Sequence, residues 1–463
     1  MVPTLWDVID RCRNGEKVEE KQFDLGIFKR LQPLIKEYGI KYDPQNPICM
    51  DDRLIDAVFE AAVRFYLDQG SYCMNTGRVV KFSEEELRQA LDAAPSVLYL
   101  GEGADRVAMA ARGVADEATE PIVCAGIQTA PYSDEETQSL VYELCARDRC
   151  VDGIWGGLVT RVEGKYDVIA GTPGEILQYR QDVARLRSAL ARAGRPGMFI
   201  VNNAPTSIAT IAMADRATGL RPTDLFETTG ISELKANYDD LNRTAFAITY
   251  GPPLHGAINS VIGGMSGSPA GAVITSVASV FQLLLVNLAQ NMRPGTTSFT
   301  AKSRVTRDQL WVAGTALQAI ARNTHLIQDG GMGDHPAAGP GTLQYFWESA
   351  AGFIVSTVCG GHSMGGTRKF VVSNVVNYGS PLESRWMGEV CKSASTLSRE
   401  RGNEIAKALL EKYEGSVKDA PAGGTLWDLY DREKLEPKES YMAIYQQAKE
   451  ELASLGLKWR RWD

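Results

Sequence analysis

An α/β chain folded as a (β/α)8 barrel of the TIM type, with helical additions at its N- and C-terminal ends, is predicted from three observations. From about residue 97, short β-rich runs alternate with longer helical ones. The runs number eight: Val97–Leu100, Ile122–Gly126, Gly153–Val159, Gly197–Asn202, Ala245–Tyr250, Thr296–Thr300, His325–Gln328 and Lys369–Ser373. Polar residues and glycine pairs gather just beyond these runs, where the loops of such a barrel carry its chemistry. A doubly wound open sheet is the rival architecture for the same alternation.

The elements follow in order. Residues 1–95 are expected to form a helical cap. Asp51-Asp52 opens a helix whose apolar residues Leu54, Val58, Ala62 and Phe65 recur at three- and four-residue steps. Ser83-Glu84-Glu85-Glu86 is a capping box, in which the Ser83 hydroxyl and Glu86 carboxylate satisfy each other's backbone donors. The barrel is expected over 96–415. In it, Glu175–Ala193 lays Ile176, Tyr179, Val183, Leu186 and Leu190 along one apolar stripe. The apolar run Ala270–Leu288 contains Thr275, Ser276, Ser279 and Gln282, which suits a buried helix better than a membrane span. Residues 416–463 are expected to pack on the barrel as a C-terminal extension.

Composition narrows the function. Of the 463 residues, 44% are hydrophobic and 23% charged, the profile of a soluble globular protein. The net charge of −8 argues against a nucleic-acid surface. There is no signal-peptide pattern at the N-terminus. Eight irregularly spaced cysteines suggest reduced thiols and a cytoplasmic setting.

At the expected mouth stand Gln128, Trp155, Asn202-Asn203, Tyr250 with His255, Lys302, Asp329 and Asp334-His335. There are four histidines, which titrate near neutrality and serve as acid, base or ligand; each lone one is as readily structural. His255 and His335 follow expected strands, and His362 would reach the mouth only if Phe353–Val358 were a strand. Cys359-Gly360-Gly361-His362 has two groups that bind zinc, but a zinc site needs three or four, and no metal site is expected. Trp155, Tyr250, Phe299 and Trp386 are aromatic candidates for a cation-binding wall, or for core. Gly101-Glu102-Gly103-Ala104-Asp105 lacks the third glycine of a dinucleotide loop and is read as a turn.

Several segments share an order and spacing with one family. They are Gly15-Glu16-Lys17, Gly194-Arg195-Pro196-Gly197-Met198 through Thr206-Ser207, Glu233-Leu234-Lys235, Pro336-Ala337-Ala338-Gly339-Pro340, Trp386-Met387-Gly388-Glu389-Val390 and Ala420-Pro421-Ala422-Gly423-Gly424-Thr425. On these the chain resembles the monomethylamine:corrinoid methyltransferases over nearly its whole length. The family's electrophilic residue, pyrrolysine, precedes the Thr-Ser pair, where this sequence has Pro205.

The resemblance implies a methyltransferase that moves a methyl group from a methylated amine, quaternary or N-methyl, to the Co(I) centre of a separate corrinoid protein. It implies no tightly bound cofactor of its own, and a homo-oligomer. Methyltransferases with a non-amine donor, activated by zinc or acid, and a non-catalytic paralogue that binds the corrinoid protein, are the alternatives. His335 and Gly333 stand where the family has residues of the pyrrolysine pocket, so that pocket is rebuilt. His335, Asp334 and Glu227 are the candidate catalytic residues, Glu227 matching one of two family glutamates while the other falls near Ala257; a surface loop carboxylate is the plain alternative for Glu227. Asn202, Asn203, Pro205, Trp155, Tyr250, His255 and His362 are the candidate substrate contacts. Glu383 and Arg385 match a Glu-Ala-Arg element, expected to be a structural ion pair.

Overall fold

The computed structural model describes residues 2–126, 131–202, 206–214, 219–365 and 375–462. Within them eight parallel strands form the central sheet: β1 (Val123–Ala125), β2 (Gly153–Trp155), β3 (Phe199–Asn202), β4 (Leu225–Thr229), β5 (Leu254–Ile262), β6 (Asn291–Ser298), β7 (Ile327–Gln328) and β8 (Ser363–Met364). Each pairs with the next, and β8 returns to β1 through Ser363–Val123 and Met364–Cys124. The last seam, β7 to β8, is a bridge between Asp329 and His362, in which Gly330 N–H donates to His362 O and His362 N–H to Gln328 O. The ring is therefore a closed barrel.

A helix follows every strand: α1 (Glu135–Arg147), α2 (Pro173–Arg192), α3 (Ser207–Ala212), α4 (Tyr238–Tyr250), α5 (Pro269–Leu285), α6 (Arg307–Asn323), α7 (Leu343–Val358) and α8 (Pro381–Ala394). The expected fold is present, but several strands differ from expectation. Val97–Leu100 pairs antiparallel with Val107–Ala110 outside the ring. Ala245–Tyr250 is the end of α4, and Phe353–Val358 belongs to α7. β4, β5 and β8 were not foreseen, and Lys369–Ser373 lies outside the described residues.

The hairpin Val97–Ala110 seals the N-terminal end of the barrel. Leu100 and Met109 enter a buried cluster with Phe199, Leu225 and Ile327. Gly101 N–H donates to Thr223 O and Glu102 N–H to Gly197 O, tying the hairpin to the starts of β3 and β4. Above this floor the Phe199 ring fills the barrel, 2.2 Å from where a Cβ on Gly153 would stand, so β2 can carry no side chain there.

The N-terminal helices begin where expected. Asp51 caps Asp52–Gln69, and Ser83 and Glu86 form the reciprocal box of Glu84–Ala93. Asp52–Gln69 packs on α5, with Phe59 against Phe281 at 5.7 Å. The barrel lies on the other side of α5, which explains a helix apolar all round. Ile176 of α2 is exposed, whereas Tyr179, Val183, Leu186 and Leu190 are buried. Glu383 and Arg385 do not pair with each other. Glu383 takes the Ser380 cap and the Tyr441 hydroxyl of the C-terminal helix Glu439–Ser454, while Arg385 binds Glu389. All eight cysteines are buried free thiols. Among the described residues no helix is long and apolar enough to cross a membrane.

Candidate functional site

Parallel strands point alternate residues inward, so register decides what lines the barrel. Val201 is opposite Trp155, Glu227 opposite His255, and His255 opposite Asn291. Two positions further along β6 from Asn291, Arg293 reaches into the same space.

Arg293 is the centre of the arrangement. Its guanidinium binds Asp329, which follows β7, and donates to the Met364 carbonyl of β8. A third arm lies 3.4 Å from Asp334 Oδ2. The second Asp329 oxygen accepts the Met364 N–H at 2.9 Å. Burial opposes the Arg293 charge, but Asp329, Asp334 and Glu227 outweigh it and hold the guanidinium charged. Gly331 makes this possible: it has φ of +49°, and a Cβ there would sit 2.3 Å from Arg293 Cζ.

Beyond Asp334, its Oδ1 lies 2.6 Å from His335 Nδ1. Burial would raise the Asp334 carboxyl, but His335 and then Arg293 and Arg304 hold it down at about 2. His335 is 3% exposed, and Arg304 Nη1 lies 3.4 Å from its Nδ1. The two candidate residues that are neighbours in sequence are therefore in direct contact. Glu227 is a buried strand residue facing Arg293, not a loop carboxylate on the surface.

The remaining candidates are spread out. His255 is the second residue of β5 rather than a loop residue. It lies inside the barrel, its ring edge-on to Trp155 at 5.7 Å and its Nε2 3.6 Å from Asp329 Oδ2. Burial, then the Arg293 charge, push it down to about 3, so it is neutral. His362 is not at the mouth. Its Nδ1 accepts the Ile122 N–H at 3.0 Å and its Nε2 donates to Ala110 O at 2.8 Å, which pins the floor hairpin. Both ring nitrogens are thus used, and Cys359-x-x-His362 offers no ligand pair; among the described residues no three His, Cys, Asp or Glu side chains converge as metal ligands would. Tyr250 is half-exposed at the end of α4, which leads into the start of β5, so it lies at the opposite end from the mouth. Trp386 is buried outside the ring against Phe346 and Tyr445. The four aromatics therefore do not form one wall. Asn203, Pro205 and Gln128 lie outside the described residues.

Asn202 ends β3 and donates through Nδ2 to Asp182 Oδ2 at 2.7 Å. Asp182, on α2, also accepts the Tyr142 hydroxyl at 2.9 Å, and that oxygen accepts the Gly157 N–H. The residue interrupts the apolar face of α2 between Tyr179 and Val183, the one signal in the sequence that could have flagged it. Burial pushes Asp182 up to about 6, against Arg185 and its hydrogen-bond donors. A folded pKa above the ordinary 3.8 contributes stability that is full below that value and lost as pH rises through about 6. Urea midpoints should therefore fall less between about pH 4 and 7 in Asp182→Asn than in the parent; an unchanged pH profile in the variant would remove Asp182 as the source.

The whole chain can be compared with known proteins. The model of the family described as "Monomethylamine methyltransferase MtmB" matches residues 3–457. Monomethylamine methyltransferase MtmB2 of Methanosarcina acetivorans is 31% identical over 457 residues, 98% of each chain. MtmB of Methanosarcina mazei is 30% identical with the same coverage. A crystal structure of a hydroxylamine complex of MtmB superposes with a TM-score of 0.93 at 28% identity, covering 99% of both chains. The Methanosarcina barkeri MtmB crystal structure gives 0.91 at the same identity and coverage. With its closed barrel and its full-length match, the chain belongs to the monomethylamine methyltransferase family.

Proposed function

We propose that this protein moves a methyl group from a methylated ammonium donor, quaternary or N-methyl, to the Co(I) centre of a corrinoid carried by a separate protein. The observation that carries the donor class is charge: three buried carboxylates, Glu227, Asp329 and Asp334, face two guanidiniums, the buried Arg293 and, beside His335, Arg304. Such a surplus favours a cationic ligand over a neutral or anionic one. The family match supports methyl transfer from amines.

Co(I), as the second substrate, is a strong nucleophile that attacks the methyl carbon. The chain's part is to hold the methyl in line, exclude water and receive the departing amine. His335 and Asp334 are proposed to act at the donor nitrogen, the carboxylate keeping the imidazole oriented. Glu227 contributes negative charge opposite the ammonium. Asn202, whose amide is spent on Asp182, is proposed to brace the wall of the pocket rather than touch the donor, and Pro205 has no group able to bind an amine covalently. The protein is further proposed to be a homo-oligomer and to work in the cytoplasm, a compartment its buried free thiols suit.

A donor screen tests the reading. The corrinoid protein is held as Co(I), and methyl-Co(III) formation is followed by absorbance. Quaternary or N-methyl ammonium donors should turn over, and monomethylamine should give no rate above background. Robust transfer from monomethylamine would overturn the donor assignment, and transfer only from an uncharged ether or thioether would overturn the ammonium class.

A further inference from the structure

Resting on the methyl-transfer reading, we propose that Arg293 is the positioning residue of this site: by gripping Asp329 and Asp334 at once, it fixes the Asp334–His335 pair in its working orientation. Arg293 is 4% exposed and lies behind Asp334, not beyond it. It acts through a carboxylate rather than on the donor.

The geometry assigns each part. Asp334 presents one oxygen, Oδ2, to Arg293 and the other, Oδ1, to His335. Two acceptors repel at 2.6 Å, so the Asp334 carboxylate favours the proton on Nδ1. Arg304 Nη1, 3.4 Å from the same nitrogen, would donate to it and favours the proton on Nε2, so the two groups compete and the shorter contact, to Asp334, decides. The bridging carboxylate cannot rotate without losing Arg293. Nor can the Gly330–His335 loop slide, because Arg293 also holds Asp329 at the end of β7 and the Met364 carbonyl of β8. A lysine could keep the charge but could not serve these three partners from a planar fork.

The test uses the full chain with nitrogen-15 histidine. There are four imidazoles, and a His335→Gln variant identifies the His335 signals. In the parent, His335 should show the pattern of a proton fixed on Nδ1. Arg293→Lys should convert it to an exchanging pattern while far-UV circular dichroism stays that of the parent. It should also lower kcat by ~10²-fold with KM changed by less than about threefold, the expected outcome of a misplaced group rather than lost binding. Asp334→Asn, which leaves Arg293 in place, gives the reference pattern of an unheld imidazole, and Arg293→Gln repeats the test if Arg293→Lys fails to fold. An unaltered His335 pattern in folded Arg293→Lys would overturn the proposal and reduce Arg293 to a core ion pair. The imidazole readout needs no donor: a parent inactive with every donor would overturn the methyl-transfer reading alone.

Discussion

Replacing His335 by alanine should cut methyl transfer by at least ~10²-fold while leaving the affinity for the corrinoid protein unchanged. Acid–base and hydrogen-bonding help from one well-placed side chain is worth ~10²–10⁴-fold. His335 is held by the Asp334 carboxylate at 2.6 Å in the loop after β7, which is where a barrel presents its chemistry. The variant leaves Asp334 with Arg293 as a counter-charge, so no unpaired carboxylate is created. Rates with the donor found by the screen, alongside titration of the partner, separate turnover from docking. Parent-like turnover in His335→Ala would make His335 structural and move attention to Glu227.

Removing the charge of Arg293 should have the largest effect on stability. Arg293→Met leaves Asp329, Asp334 and Glu227 buried without their counter-ion, and breaking a buried ion pair from one side costs about 3–5 kcal/mol. Pairing it with Asp329→Asn removes one of the stranded charges. The double variant should then recover about 1–3 kcal/mol of the loss. Urea unfolding of both single variants and the double gives the cycle; strict additivity would mean that the two residues are not coupled in the folded protein.

How much of this was legible in the sequence depends on what each strand had to carry. β3 is a plain apolar run, Phe-Ile-Val-Asn, and it was found. β4 and β5 were missed because their inward positions hold Glu227, His255 and Asn259, so the pattern reads as a loop. β6 contains Arg-Pro-Gly, which hid Arg293 within what looks like a turn. The strands that bear the site are thus the ones that depart most from strand-like composition. The contact of Asp334 with His335 was foreseen because the two are neighbours in sequence. The convergence of Arg293, Asp329 and Glu227 was not, since it depends on barrel register over more than a hundred residues. His255 and His362 were misplaced for the same reason: a shift of a few residues along a strand moves a side chain from mouth to floor.

The sealed floor bears on the order of arrival. With Leu100 and Met109 plugging one end and His362 pinning the hairpin, the described residues leave no way in from that end, and under the proposed reaction the doorway is the opposite one. Under the proposed reaction the small donor and the bulky cobalt carrier must use that doorway in turn. The donor enters first, the carrier closes the opening, and the demethylated amine waits until the carrier leaves. A carrier that docks on an empty pocket shuts the donor out, so raising its concentration should at first speed the reaction and then slow it, with the slowdown relieved by more donor.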